Sequence, residues 1–231
     1  MSKILGVLGG MGPEATADFF QRIITNTPAD CDQEHIRVII DNNPAVPDRT
    51  KAIFDRGKSP VPALTSMAQK LEDQGADLLA MPCNTAHYFH QEISRQINIP
   101  ILNMISLTVD YIAQKFSAKS RIGILATKGT IRTEIYQQEL KKGNLKPLLP
   151  EKEHQDNIMK AIYRIKEDNK DMRTKKLIKQ TIENLENHNV QAIIAGCTEL
   201  PLMPLENFIN DSLIVNPAEV MAQQAVKQIK G

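Results

Sequence analysis

Two cysteines stand where a thiol could do chemistry. Cys83 ends the run Leu78-Leu-Ala-Met-Pro and is followed by Asn84-Thr85-Ala86, while Cys197 ends Ile193-Ile-Ala-Gly196 and is followed by Thr198-Glu199. Each sits at the carboxyl end of an apolar, strand-like run, just ahead of polar residues suited to capping a helix. In open α/β sheets ligands bind at this place, because free N–H groups and the positive end of a helix dipole gather anions there. A cysteine so placed is expected to have a lowered pKa and to supply thiolate near neutral pH. The same N–H groups would hold a substrate carboxylate over the sulfur. Inert packing is the ordinary fate of a buried cysteine, so it is the matched pair that points to chemistry. Cys31, in the polar stretch Pro28-Ala-Asp-Cys31-Asp, has no such setting and reads as incidental.

Two thiols on opposite sides of one carbon fit the racemisation of an amino acid. One sulfur removes the α-hydrogen from one face, the other returns a proton to the opposite face, and the roles swap for the reverse reaction. Each thiol must be neutral in one half-reaction and anionic in the other, so a pKa near the working pH suits the task. Without an electron sink, the developing negative charge has to be held by hydrogen bonds and cations. Asn84, Thr85, Thr127 and Thr198 are candidate donors. No cofactor is expected. The stretch Gly6-Val-Leu-Gly9-Gly10-Met11-Gly12 departs from the G-x-G-x-x-G spacing and reads instead as a tight strand-to-helix turn lining a small-molecule cleft, with Pro13 in the first helical turn.

The elements that must position these residues alternate along the whole chain. Buried strands are expected at Ile4 to Leu8, Val38 to Ile40, Leu78 to Met81, Ile101 to Met104, Ile122 to Leu125, Ala192 to Ala195 and Leu213 to Val215. Between them lie helical patterns at Pro13 to Thr25, Pro60 to Gln74, Ala86 to Gln96, Leu107 to Phe116, Arg132 to Lys141, His154 to Lys166, Thr174 to Asn187 and Pro217 to Lys230. Such alternation predicts an α/β fold with parallel sheets flanked by helices. A weak internal repeat divides it: Ile-Leu-Gly-Val-Leu-Gly leads to Cys83, and Ile-Gly-Ile-Leu-Ala leads at a similar distance to Cys197. Two similar lobes are expected, residues 1–104 with 211–231 carrying Cys83 and residues 105–210 carrying Cys197, with the active site in the cleft between them. The strand at Leu213 to Val215 and the last helix are expected to return to the first lobe, with Pro204 to Asp211 as the crossover.

Composition excludes several classes. The 231 residues carry a formal net charge of +1, which steers the chain toward neither nucleic acid nor an anionic membrane. The Arg173-Thr174-Lys175-Lys176 cluster reads as a solvated helix face. No run approaches the roughly 18 apolar residues of a membrane span, and Ile4 to Leu8 is too short for a secretory segment. Three cysteines, an odd number, argue against a disulfide framework. A cytoplasmic protein acting on a small amino-acid substrate is expected.

At these residues the sequence resembles the aspartate/glutamate racemase superfamily. The first signature is Leu79-Ala-Met-Pro-Cys83-Asn84-Thr85-Ala86-His87 and the second is Ile193-Ile-Ala-Gly196-Cys197-Thr198-Glu199-Leu-Pro201. The likeness extends over essentially the whole chain, including the opening Gly-Gly-Met-Gly-Pro and the helix with Tyr163-Arg-Ile-Lys166. It is closest to the aspartate racemase branch. The glutamate racemases of cell-wall synthesis typically have Asp-Ser-Gly after the first strand and a histidine after the second Cys-Thr, where this chain has Gly9-Gly10-Met11 and Glu199.

The resemblance implies that Cys83 and Cys197 are the acid and base, and that Arg49 and Lys166 meet the side-chain carboxylate of the substrate. It also implies that Asn84, Thr85 and Ala86 hold the α-carboxylate, with Met11 near the substrate, and that the protein forms a homodimer. Two cations in one cleft would select a dicarboxylate, and an arginine can bind one through two parallel hydrogen bonds. Aspartate is the foremost substrate, with glutamate or a broader range of amino acids open. Three rivals use the same residues. One is a zinc site from Cys83, His87 and His90, which share a face if the segment is a single α-helix. Another is a same-fold isomerase or decarboxylase of a small dicarboxylate, and the last a binding protein with idle thiols.

Overall fold

The chain folds as two compact units, one of Met1–Leu107 with Ala218–Gly231 and one of Thr108–Pro217. The structure is a computed structural model and describes residues 3–210 and 212–231. The expected placing of residues 1, 2 and 211 in the first lobe lies outside the described residues.

The first unit is built on strands β1 (Ile4–Gly9), β2 (Arg37–Asn42) and β3 (Leu78–Ala80), which pair in parallel in the order β2-β1-β3. From Leu5 onward β1 is buried at every residue. That continuous run is what a strand covered on both faces requires. Side chains alternate across the sheet. Leu8, Leu79 and Met81 pack on one face with Leu64, Met67 and Leu71 of the helix Val61–Asp73. Leu5, Val7, Leu78 and Ala80 pack on the other with Phe19 and Ile23 of the helix Pro13–Asn26 and with Met221, Ala222 and Ala225 of the helix Pro217–Lys230. Each large side chain buried this way contributes about 1.5–3 kcal/mol.

The second unit repeats the scheme with β4 (Arg121–Ala126), β5 (Lys146–Leu148), β6 (Ala192–Gly196) and β7 (Leu213–Val215), all parallel, in the order β5-β4-β6-β7. Leu125, Ile193 and Ala195 face the helices Lys152–Lys166 and Met172–Glu186, which bury Ile158, Ile162 and Ile165, and Ile178, Ile182 and Leu185. These spacings of three and four residues form one apolar stripe per helix.

Several local expectations change. The strand Leu213 to Val215 does not return to the first sheet; it pairs with β6 through Ala192–Leu213 and Ile194–Val215 and completes the second. Only the helix that follows packs into the first unit, with Ala218 and Met221 in that unit's core. Ile101 makes a single bridge to Leu79 rather than a strand, because a helix already begins at Met104. The expected helix from Ala86 to Gln96 is a 3-10 turn, Thr85–Phe89, and then a short helix, His90–Ser94. A further strand, β5, lies at the sheet edge, where Pro147 is tolerated because its missing N–H leaves no rung of the ladder unfilled on the open side.

Candidate active site

Alternation along the strands fixes where both cysteines point. In the first unit, Leu79 and Met81 face the core on one side of the sheet, and Cys83, two residues on, joins the same cluster. The chain turns there, with the Cys83 N–H donating to the Met81 carbonyl at 2.7 Å. Asn84, Thr85 and Ala86 follow, all buried, with Asn84 at the N-cap position of the 3-10 turn Thr85–Phe89 but making no side-chain cap hydrogen bond. His87 locks this turn. Its Nε2 accepts the Met104 N–H at 3.1 Å, so its Nδ1 carries the proton and donates to the Cys83 carbonyl at 2.9 Å. Burial, and then the neighbouring His90, hold His87 down at a pKa of about 4, so it is neutral at pH 7.

The rest of the first unit's site comes from two loops. Met11 is buried beyond β1, in the cluster that holds Cys83. The preceding turn needs Gly10, whose φ is +93°, and its N–H donates to Thr16 Oγ1 at 2.9 Å. Arg49 opens the short helix Arg49–Ile53, which Asp48 caps by accepting the Lys51 N–H at 2.9 Å. One guanidinium nitrogen, Nη1, donates to the Val46 and Pro47 carbonyls at 3.1 Å each. Among the described residues no carboxylate forms an ion pair with Arg49, and its buried Nε has no hydrogen-bond acceptor. A charged group held by main-chain carbonyls, with donors left over, is set to take an anion.

In the second unit the parity of Ile193 and Ala195 carries through to Cys197, which joins their cluster. Gly196 keeps the turn close to β4: a Cβ there would stand 3.1 Å from Ala126 Cβ and 3.2 Å from the Leu125 carbonyl oxygen. Cys197, Thr198 and Glu199 are all buried, each at 5% exposure or less. The Cys197 thiol donates to Glu199 Oε2 at 2.8 Å, and Glu199 Oε1 is 2.5 Å from Lys166 Nζ at the end of the helix Lys152–Lys166. Burial, and then the charge of Glu199, push the Cys197 thiol well above its ordinary pKa, with Lys166 opposing. Thr127 caps the helix Lys128–Arg132, its Oγ1 accepting the Thr130 N–H at 3.1 Å.

The sequence pattern of the Asp/Glu/hydantoin racemases matches residues 8–225, nearly the whole chain. The chain belongs to the Asp/Glu/hydantoin racemase family. It is therefore a racemase, an isomerase. The chain is 29% identical over 229 residues to the broad specificity amino-acid racemase RacX of Bacillus subtilis, covering 96% of each protein. It is similar to the solved structure of the Picrophilus torridus aspartate racemase, at 32% identity and a TM-score of 0.86, covering 99% of this chain and 94% of that one. The glutamate racemase isoform RacE1 of Bacillus anthracis shares the fold, with a TM-score of 0.71 at 22% identity, covering 99% of this chain and 82% of that one.

Within the racemase frame, one expectation changes, one rival is not assembled, and one residue gains partners. The Cys197 thiol is not made acidic by a following α-helix: the turn Leu200–Leu202 is three residues of 3-10 helix, with little dipole, and Glu199 lies against the sulfur. A zinc site from Cys83, His87 and His90 is not assembled. The His87 and His90 rings stack with centroids 5.6 Å apart, but the ring nitrogens of His87 bind main chain and His90 Nε2 donates to the Ile101 carbonyl at 3.0 Å, so these nitrogens are already engaged. Among the described residues no group of three or more His, Cys, Asp or Glu side chains is placed to hold a metal. Glu199 is the residue that sequence reasoning leaves without a role, although an acid two positions after a cysteine was there to be read.

Proposed function

We propose that the chain interconverts L- and D-aspartate by a two-base reaction without a cofactor, using Cys83 and Cys197 as the exchanging pair. One thiolate takes the α-hydrogen as a proton, and its S–H bond forms as the C–H bond breaks. The electron pair is delocalised into the α-carboxylate, and the other sulfur, a thiol, gives its proton to the opposite face. Asn84, Thr85 and Ala86 hold the α-carboxylate, Thr127 and Thr198 supply further donors, Met11 lines the substrate, and Arg49 selects the side-chain carboxylate, with Lys166 shared between that group and Glu199. The observation that carries this reading is the equivalence of the two turns. In each unit a buried cysteine follows, within three residues, the strand that pairs with that unit's first strand, and buried polar residues come after it. Aspartate is favoured by the guanidinium of Arg49, which meets no carboxylate among the described residues, and by the aspartate racemase of Picrophilus torridus. A broader range of amino acids is a second reading, supported by the RacX relative and by the engagement of Lys166 with Glu199.

The test is incubation with L-aspartate in deuterium oxide, without added cofactor, following α-deuteration and loss of optical activity. Both occur in the parent protein, and Cys83→Ser and Cys197→Ser each lower racemisation by at least about 10³-fold, since each deletes one of two obligatory proton carriers. No α-deuteration with aspartate, glutamate or alanine would sink the proposal. Exchange at comparable rates with alanine would select the broader reading.

A further inference from the structure

Glu199 is the most unusual group in the second unit. It is a buried carboxylate, 4% exposed, touching both a thiol and an ammonium. Burying a carboxylate is costly unless it is paired and hydrogen-bonded, so its two partners account for its presence. They do not account for its place. A fold needing only a filler beside Cys197 would be served by an apolar side chain, like Leu125, Ile165 and Leu200 of the core cluster that Cys197 joins.

We propose that Glu199 is a positioning residue for Cys197: one carboxylate oxygen holds the thiol hydrogen, the other holds Lys166, and Cys197 thereby waits between turnovers as the proton donor. This rests on the two-base reading above and adds a resting form to it. For the isomer whose α-hydrogen faces Cys83, the resting form is ready, with Cys83 accepting and Cys197 giving; the opposite isomer reacts from the form in which Cys197 is the thiolate and the roles are swapped. As Cys197 delivers its proton, its S–H bond breaks and a C–H bond forms on the substrate, leaving a thiolate beside Glu199. That thiolate is disfavoured by the carboxylate and tolerated because Lys166 offsets the carboxylate's charge. After product leaves, the proton gained by Cys83 passes to solvent, and Cys197 recovers one. Among the described residues, Glu199 from its own turn and Lys166 from the helix Lys152–Lys166 are the charged groups that act on this sulfur in its unit. Their signs are opposite, so their removal must move the thiol in opposite directions.

That opposition is the test. In full-length protein carrying Cys31→Ser and Cys83→Ser, Cys197 is the sole thiol, and its ionisation is followed by thiolate ultraviolet absorbance against pH. Glu199→Gln lowers the midpoint by about one pH unit, which is tenfold more thiolate at a given pH below it, and Lys166→Met raises it. With all cysteines intact, Glu199→Gln lowers kcat for aspartate racemisation by about tenfold or more, with a smaller change in KM. The loss in kcat/KM is the same from L and from D, because the equilibrium constant cannot change. A midpoint that does not fall in Glu199→Gln overturns the proposal. Should that variant fail to fold, an unmoved or lowered midpoint in Lys166→Met overturns it equally. Opposite shifts in a protein that racemises nothing would retain the Glu199 arrangement and sink the two-base reading; racemisation with unmoved midpoints would do the reverse.

Discussion

Arg49 and Lys166 carry the same charge and live in different circumstances. Lys166 faces Glu199, while Arg49 is steadied by two carbonyls and pairs with no carboxylate among the described residues. On the proposed reading, discrimination for a dicarboxylate falls mainly on Arg49. Arg49→Met should lower kcat/KM for aspartate by about 10- to 100-fold, the worth of one charge-assisted contact, and change that for alanine much less. Parallel α-deuteration assays of the two substrates measure the ratio. Arg49→Lys should recover only part of it, since an ammonium cannot form the paired hydrogen bonds of a guanidinium. At this scale the placing of both cysteines, buried and just after a buried strand, was legible from an apolar run followed by Cys and then polar residues. The link from Cys197 through Glu199 to Lys166 was not. It joins a turn to the far end of a helix, and no periodicity in the chain relates them.

The turns are set by backbone, and the glycines show how tightly. A Cβ on Gly10 would stand 2.3 to 2.6 Å from main-chain atoms of Asn43, which cannot step aside, and φ there is +93°. Gly75, after the helix Val61–Asp73, has a similar φ of +90° but only a side-chain methyl at 3.9 Å. Gly75→Ala should cost about 1–2 kcal/mol, the left-handed penalty alone. Gly10→Ala should cost clearly more and displace Met11, and urea midpoints of the two variants give the comparison. The parallel sheets and most helices were readable from apolar runs and amphipathic spacing. β5 was hidden because Pro147 argues against a strand everywhere except at an edge, and edge position is a property of the sheet, not of the segment. The sheet that β7 joins was misjudged for a related reason: a three-residue apolar strand, Leu213–Val215, fits either sheet, and it pairs with Ala192 to Ile194 of β6.

Stability of the whole protein should depend on pH through His87. Its pKa of about 4 in the folded chain lies below the 6.5 of an unfolded histidine, so the unfolded state binds more protons between those values. The contribution is complete above pH 6.5 and is lost as pH falls toward 4, amounting to about 3 kcal/mol at most. Urea unfolding from pH 7 to 4.5 should show the decline. His87→Gln should be less stable at pH 7 and yet lose less over the same range. The two-unit organisation brings a different consequence. The first unit's core is closed by Met221, Ala222 and Ala225, and Arg22 and Asn26 of its first helix bind Glu219 of its last. Everything from Thr108 to Pro217 intervenes. On the ribosome the interposed unit can therefore finish its fold while the earlier-made one still waits for a wall, its Leu5, Phe19 and Met104 side uncovered. A chaperone that shields apolar surface would find its client in the half of the protein that was synthesised first.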